Sequence, residues 1–145
     1  MVPKFDFSVR KQISNERKIY SIDTGLSTVN SASFSEDTGR KLENIVYLLL
    51  RNQHRDIYYF SGRHECDFVI RIKADKYFLV QVCLELSPDN IDREINGLME
   101  AMDYLHCRDG IIVTLTQKDY LEKNGTRIPA IPFHEFSQGY EKRFA

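Results

Sequence analysis

Three polar side chains fall where two apolar strands should lie side by side. They are Asp67 in ECDFVIRI (65–72) and Gln81 and Cys83 in KYFLVQVCLEL (76–86). Strand alternation puts Glu65, Asp67, Val69 and Arg71 on one face, with Cys66, Phe68 and Ile70 on the other. It likewise groups Leu79, Gln81, Cys83 and Glu85, and turns Val80, Val82, Leu84 and Leu86 to the core behind. An acid, an amide and a thiol converging at the edge of an apolar sheet are not what packing alone selects. Glu43 on the preceding helix can complete the group. A nucleophilic Cys83 would need a base at hand, and the spacing favours neither His64 nor His54. Each residue also has a plain reading. Glu43 is then an exposed helix acid, and Asp67 the partner of Arg71 or Arg63. Gln81 makes cross-strand bonds, and Cys83 is a half-buried packing residue.

Other chemistries are excluded by pattern. The chain contains no GxxxxGK[ST] phosphate loop, no GxSxG, no HExxH and no EF-hand sequence. Its three cysteines, Cys66, Cys83 and Cys107, show no metal-ligand spacing. They read as reduced thiols of a cytoplasmic protein. A net charge of −1 gives no overall footprint for nucleic acid. A local basic edge is still available from Arg51, His54, Arg55, Arg63 and His64. These residues could grip phosphates or form a solvated loop face. Tyr58, Tyr59 and Phe60 offer either stacking surfaces or strand core. No apolar run is long enough for a membrane span, and the N-terminus lacks a signal-peptide core.

The elements that must position these residues follow from periodicity. A chain of 145 residues fits one domain. FDFSVR (5–10) and KIYSI (18–22) read as short strands, DTGL as a turn and 27–35 as a polar loop. EDTGRKLENIVYLLLRN (36–52) reads as a helix, with Leu42, Ile45, Val46, Leu49 and Leu50 in one apolar stripe. Strands at 56–60, 65–72 and 76–86 form an antiparallel meander. Ser87 and Pro88 mark the start of a helix reaching about His106. Its core face carries Ile91, Ile95, Leu98, Met102 and Leu105. A buried strand at 110–116, a loop through Asn124 and Gly125, a strand at 127–131 and a short helix near 133–140 complete the chain. The order predicts an α/β fold: a mixed sheet of about four to six strands with helices on both faces.

The stretches RKIYSIDTGL (17–26), GRKLENIVYLLLR (39–51), ECDFVI (65–70), FLVQVCLEL (78–86) and REINGLMEA (93–101) resemble, in this order and spacing, a known domain. It is the restriction-endonuclease-like, or PD-(D/E)XK, domain of unknown function found at the C-terminus of prokaryotic AAA+ ATPases. The likeness covers about residues 5–136. It implies a three-layer nuclease fold. It also implies a metal site in which a helix glutamate, a strand aspartate and a (D/E)-x-Lys on the next strand serve Mg2+. Carried over, Glu43 matches the helix glutamate and Asp67 the strand aspartate. Gln81 stands at the acidic position and Cys83 at the lysine position. Hard oxygen ligands suit Mg2+, which activates water and stabilises phosphate charge.

Gln81 keeps an oxygen but no charge, as in some active members of the superfamily. Cys83 loses the fixed cation. The resemblance therefore implies a degraded nuclease site that works without a cofactor. Asp67, Gln81 and Glu43 would be the ligands if Mg2+ binds. A lysine or arginine from elsewhere, such as Arg71 or Lys73, is the alternative that would keep catalysis. DNA and an AAA+ module, in the same chain or another, are the implied partners, with residues 1–17 as a connector from that module. A protein-interaction module without nucleic-acid binding is the third reading.

Overall fold

A computed structural model describes residues 1–22 and 34–139. The turn expected at DTGL and most of the loop expected at 27–35 lie outside these residues. Twelve elements follow in order: β1 (Val2–Pro3), α1 (Val9–Ser14), β2 (Arg17–Lys18), α2 (Phe34–Gln53), β3 (Ile57–Ser61), β4 (Glu65–Lys73), β5 (Lys76–Val82), α3 (Ile91–Leu105), β6 (Gly110–Thr114), β7 (Asp119–Lys123), β8 (Thr126–Pro132) and α4 (Phe133–Ser137). The main sheet has six strands in the order β3-β4-β5-β6-β8-β7. β3, β4 and β5 run as an antiparallel meander. α3 then carries the chain over so that β6 pairs parallel to β5, and β8 lies parallel to β6.

Alternating side chains feed two separate cores, which makes the molecule three-layered. On one face Val69, Leu79 and Ile112 pack under Ile95, Leu98, Met102 and Leu105 of α3. On the other, Phe68, Ile70, Phe78, Val80 and Ile111 pack under Leu42, Val46 and Leu50 of α2, with Phe136 of α4 beside them. The stripes expected on both helices are buried through Leu42, Val46 and Leu50 and through Ile95, Leu98, Met102 and Leu105, while Ile45, Leu49 and Ile91 are only half-buried and Tyr47 joins the α2 face. The near-continuous apolar runs in β5 and β6 reflect strands covered on both sides. So the face of Leu79, Gln81 and Cys83 is not an open one opposite a core. It is the second core.

Several local expectations change. The stretch 5–10 is not a strand. Phe5 is buried against Tyr58 and Tyr77, and helix α1 begins at Val9. Strand β2 spans only two residues. Of residues 1–17, expected as a connector, the first five pack on this domain while α1 buries none of its side chains. Val2 and Phe5 are buried, and the Phe5 N–H donates to the Tyr59 carbonyl at 2.7 Å. Ser87 is not the N-cap of α3. That position is Asn90, whose Oδ1 accepts the Ser87 N–H at 2.9 Å across a turn. The expected loop before residue 127 contains strand β7, which pairs with β8 in a hairpin. Asn124 and Gly125 form its two-residue turn, with φ of 52° and 73°. Positive φ at both central residues is the type I′ geometry that Asn-Gly favours.

Candidate functional site

The site lies where β4 and β5 part company. Their ladder runs from Lys73↔Lys76 to Phe68↔Val80 and stops there. On the other edge of β4, Tyr58 pairs with Val69 but Phe60 pairs with Cys66. Two steps on β3 match three on β4, so β4 carries a bulge at Asp67–Phe68. A bulge bends the strand and re-aims its side chains. Cys66 consequently shares the α3 face with Val69, contrary to simple alternation.

The bulge makes Asp67 a substitute for the missing ladder bonds. Its Oδ2 accepts the Val82 N–H at 2.9 Å, and its own N–H donates to Gln81 Oε1 at 3.1 Å. The Gln81 Nε2 donates onward to Glu94 Oε2 at 2.7 Å. Glu94 Oε1 receives two N–H groups of Arg93, at 2.7 and 3.1 Å. Glu94 is only 5% exposed, so its charge needs both the amide and the guanidinium.

The remaining partner comes from the N-terminal segment. The Lys18 ammonium, carried on β2, lies 3.4 Å from Asp67 Oδ1 and 3.7 Å from Glu43 Oε1. It also forms an ion pair with Glu65 and sits 5.3 Å over the Tyr59 ring. Tyr20, two residues on, donates its hydroxyl to Glu43 Oε1 at 2.6 Å and stacks on Tyr47 at 4.5 Å. Burial alone would lower the Lys18 pKa. The Asp67, Glu65 and Glu43 carboxylates outweigh it and hold the amine above the usual lysine range. Burial, then the nearby Glu43 carboxylate, push the Asp67 carboxyl up to about 7, against the opposing pull of Lys18. Burial and Glu43 likewise push Tyr20 upward, so it stays a neutral donor.

Asn44 pins this segment to α2. Its Oδ1 accepts the Ser21 N–H at 2.7 Å, and its Nδ2 donates to the Ser21 carbonyl at 2.8 Å. Asn44→Ala should cost roughly 1–3 kcal/mol, the range for stripping partners from half-buried polar groups. Urea unfolding measures the loss, and hydrogen exchange at residues 17–22 should accelerate with it.

The sequence-predicted residues divide clearly. Glu43, Asp67 and Gln81 are brought together. Cys83 is not with them. Its thiol donates to the Glu85 carbonyl at 3.2 Å, and Asn90 Nδ2 lies 3.7 Å from its sulfur. Burial and Glu94 push the thiol up to about 11, so it remains protonated. It lines a cleft of about 370 Å³ with Arg40, Glu43, Asn90, Arg93 and Glu94. Neither Arg71 nor Lys73 reaches the site. The Arg71 guanidinium is packed 5.6–5.9 Å from the centroids of Phe5, Tyr58 and Tyr77. Lys73 pairs with Lys76 at the far end of β4.

Arg51 and Arg55 are also remote. Arg51 caps the Arg55 carbonyl two turns beyond Glu43, about 12 Å along the helix. Arg63 does reach the site. With His64, Glu65, Asp67, Gln81, Arg93 and Glu94 it lines a second cleft of about 360 Å³. His64 is tied to Glu100 at 3.0 Å, as are the backbone N–H groups of Arg63 and His64.

These donors do not fit the metal shell that the nuclease resemblance implies. Both Asp67 oxygens, both ends of the Gln81 amide and Glu43 Oε1 are already engaged. Among the described residues, and with Lys18 standing between the acids, no three His, Cys, Asp or Glu side chains are arranged to hold an ion.

The chain is 30% identical over 146 residues to Uncharacterized protein MJ1544 of Methanocaldococcus jannaschii. The match takes in 93% of this chain but 32% of that protein, so the chain spans about a third of its relative's length. No family model and no solved structure matches. No helix among the described residues is long and apolar enough to cross a membrane.

Two residues of the site escaped the sequence reading. Glu94 had a signal: it falls between Ile91 and Leu98 on the apolar stripe of α3, where a charge has to be paired. Lys18 had none. It lies in a two-residue strand, and only the path of the N-terminal segment across α2 and β4 brings it in.

Proposed function

We propose that this chain is a nuclease-like accessory domain that works by binding or docking rather than by cleaving, in the service of an AAA+ ATPase. The observation that carries this reading is the fate of the (D/E)-x-Lys positions. Gln81 spends its amide on Asp67 and Glu94, while Cys83 is a packing thiol in the α3 core. No cation on β5 reaches Asp67. The order of strands, the α3 crossover and the splayed β4–β5 edge support the restriction-endonuclease-like assignment. Without a metal, Glu43, Glu65, Asp67 and Glu94 would repel a phosphate backbone at the centre of the site. Nucleic acid would therefore be gripped at the rim, where Arg40, Arg63 and Arg93 line the two clefts.

Lys18 beside Asp67 favours a second reading, in which it serves as the displaced lysine of an active nuclease. A swap of side chains separates the two. Gln81→Glu with Glu94→Gln exchanges the amide and the acid while preserving their bond, and Cys83→Lys restores the cation. Plasmid and single-stranded DNA are then incubated with Mg2+ beside the natural sequence. The accessory reading expects no cleavage by the natural chain. It also expects DNA binding that weakens steeply with salt and is lost on Arg40→Glu with Arg63→Glu. Cleavage by the natural chain that disappears in Lys18→Met would establish the second reading instead.

A further inference from the structure

We propose that Lys18 is a built-in cation, holding with its ammonium the place between Glu43, Glu65 and Asp67 that a divalent ion would otherwise take. The choice of a divalent ion rests on the nuclease-like reading. The geometry does not.

Three carboxylates from two elements turn toward one point, Glu43 from α2, Glu65 from the start of β4 and Asp67 from its bulge. Like charges converge in this way only around a cation. An ammonium has N–H donors and no acceptor; here it donates to Asp67 and Glu65 and pairs by charge with Glu43 at 3.7 Å. The cation is delivered on purpose-built scaffolding. β2 is fixed by pairing with β1, Tyr20 is bonded to Glu43, and Ser21 is clasped at both its N–H and its carbonyl by Asn44. Lys18 is therefore held from both sides, and the Tyr59 ring lies beneath it. Two other nearby cations do not compete for the place. Arg93 is committed to Glu94, and Arg71 to its aromatic box.

The contacts to Glu43 and Asp67 suit an ammonium. They are longer than the roughly 2.0–2.2 Å of Mg2+–oxygen bonds. An ion that tolerates irregular shells of about 2.3–2.6 Å, such as Ca2+, would fit the carboxylates better once Lys18 is gone. The consequence is metal indifference in the natural protein and a latent metal site beneath the lysine.

The test uses the full chain and Lys18→Met, titrated separately with Ca2+, Mn2+ and Mg2+ by calorimetry and by thermal unfolding. The natural protein should show no saturable binding at millimolar metal and an unchanged Tm. Lys18→Met should unfold at lower temperature, regain stability with metal, and bind Ca2+ at least about tenfold more tightly than the natural protein. That is a minimum for removing a unit charge a few ångströms away. Adding Asp67→Asn should abolish the gain. Should Lys18→Met fail to fold alone, folding in millimolar Ca2+ but not in NaCl of equal ionic strength gives the same result. Saturable metal binding by the natural protein, or no metal response in Lys18→Met, overturns the proposal. The readout is binding and stability, so failure of the nuclease-like reading would appear separately, in the DNA assays.

Discussion

Gly97→Ala should destabilise the protein by about 3 kcal/mol or more, although alanine is ordinarily the better helix residue by ~1 kcal/mol. The reason is a close approach. Gly97 lies in the middle of α3, and a Cβ there would stand 2.0 Å from the Glu65 carbonyl oxygen and 3.0 Å from its carbon. Both obstacles are backbone, so no rotamer change relieves the overlap. Either α3 lifts from the sheet, opening the core around Leu98 and Met102, or β4 is pushed aside at the start of the bulge. For a chain of this length the loss corresponds to a fall in Tm of roughly 10 °C.

Gly39→Ala provides the matched control. Gly39 is also helical, in α2, and nothing lies within 4 Å of its Cβ position. That substitution should instead stabilise the protein by about 0.5–1 kcal/mol. A neutral or stabilising Gly97→Ala would mean that α3 does not seat on β4 as described. Because Glu65 is the residue displaced, the variant should also loosen the Lys18 cluster, detectable as faster exchange at residues 17–22.

The second large effect is on pH. The Asp67 carboxyl starts from 3.8 and is pushed up to about 7 in the fold, by burial first and by Glu43 second. The sign follows from proton linkage. Between these two values the folded chain holds a proton that the unfolded chain has released. Stability therefore falls as pH rises through this window, and the full cost is present above about 7. At 1.36 kcal/mol for each tenfold change in proton affinity, a gap of this size corresponds to about 4 kcal/mol. Urea unfolding of the natural chain should therefore give lower stability at pH 8 than at pH 5. Asp67→Asn removes the titrating group and leaves an oxygen for the Val82 N–H, so it should flatten the profile. Parallel profiles for the two proteins would show that Asp67 is not held in the buried, acid-crowded position between Lys18 and the Val82 N–H.

The sequence by itself determined the layers. The stripes of α2 and α3, the three strands of the meander and the doubly buried β6 were legible because periodicity records which faces are covered. It also marked Asp67, Gln81 and Cys83 as a group, to which the family resemblance added Glu43, and it contained Glu94 within an apolar stripe. Tertiary structure decided the rest. The bulge at Asp67 cannot be read from alternation, since one extra residue reverses the face of everything before it. Cys83, just past the end of β5, proved to be buried on the α3 side at the edge of a cleft rather than beside Asp67. Residues 1–5 joined the domain through Val2 and Phe5, whose burial no local pattern announces. Above all, Lys18 reaches its three carboxylates through contacts tens of residues apart in sequence. A charge on a two-residue strand has no period to betray it, and only the packing of the N-terminal segment over α2 and β4 makes it the cation of the site.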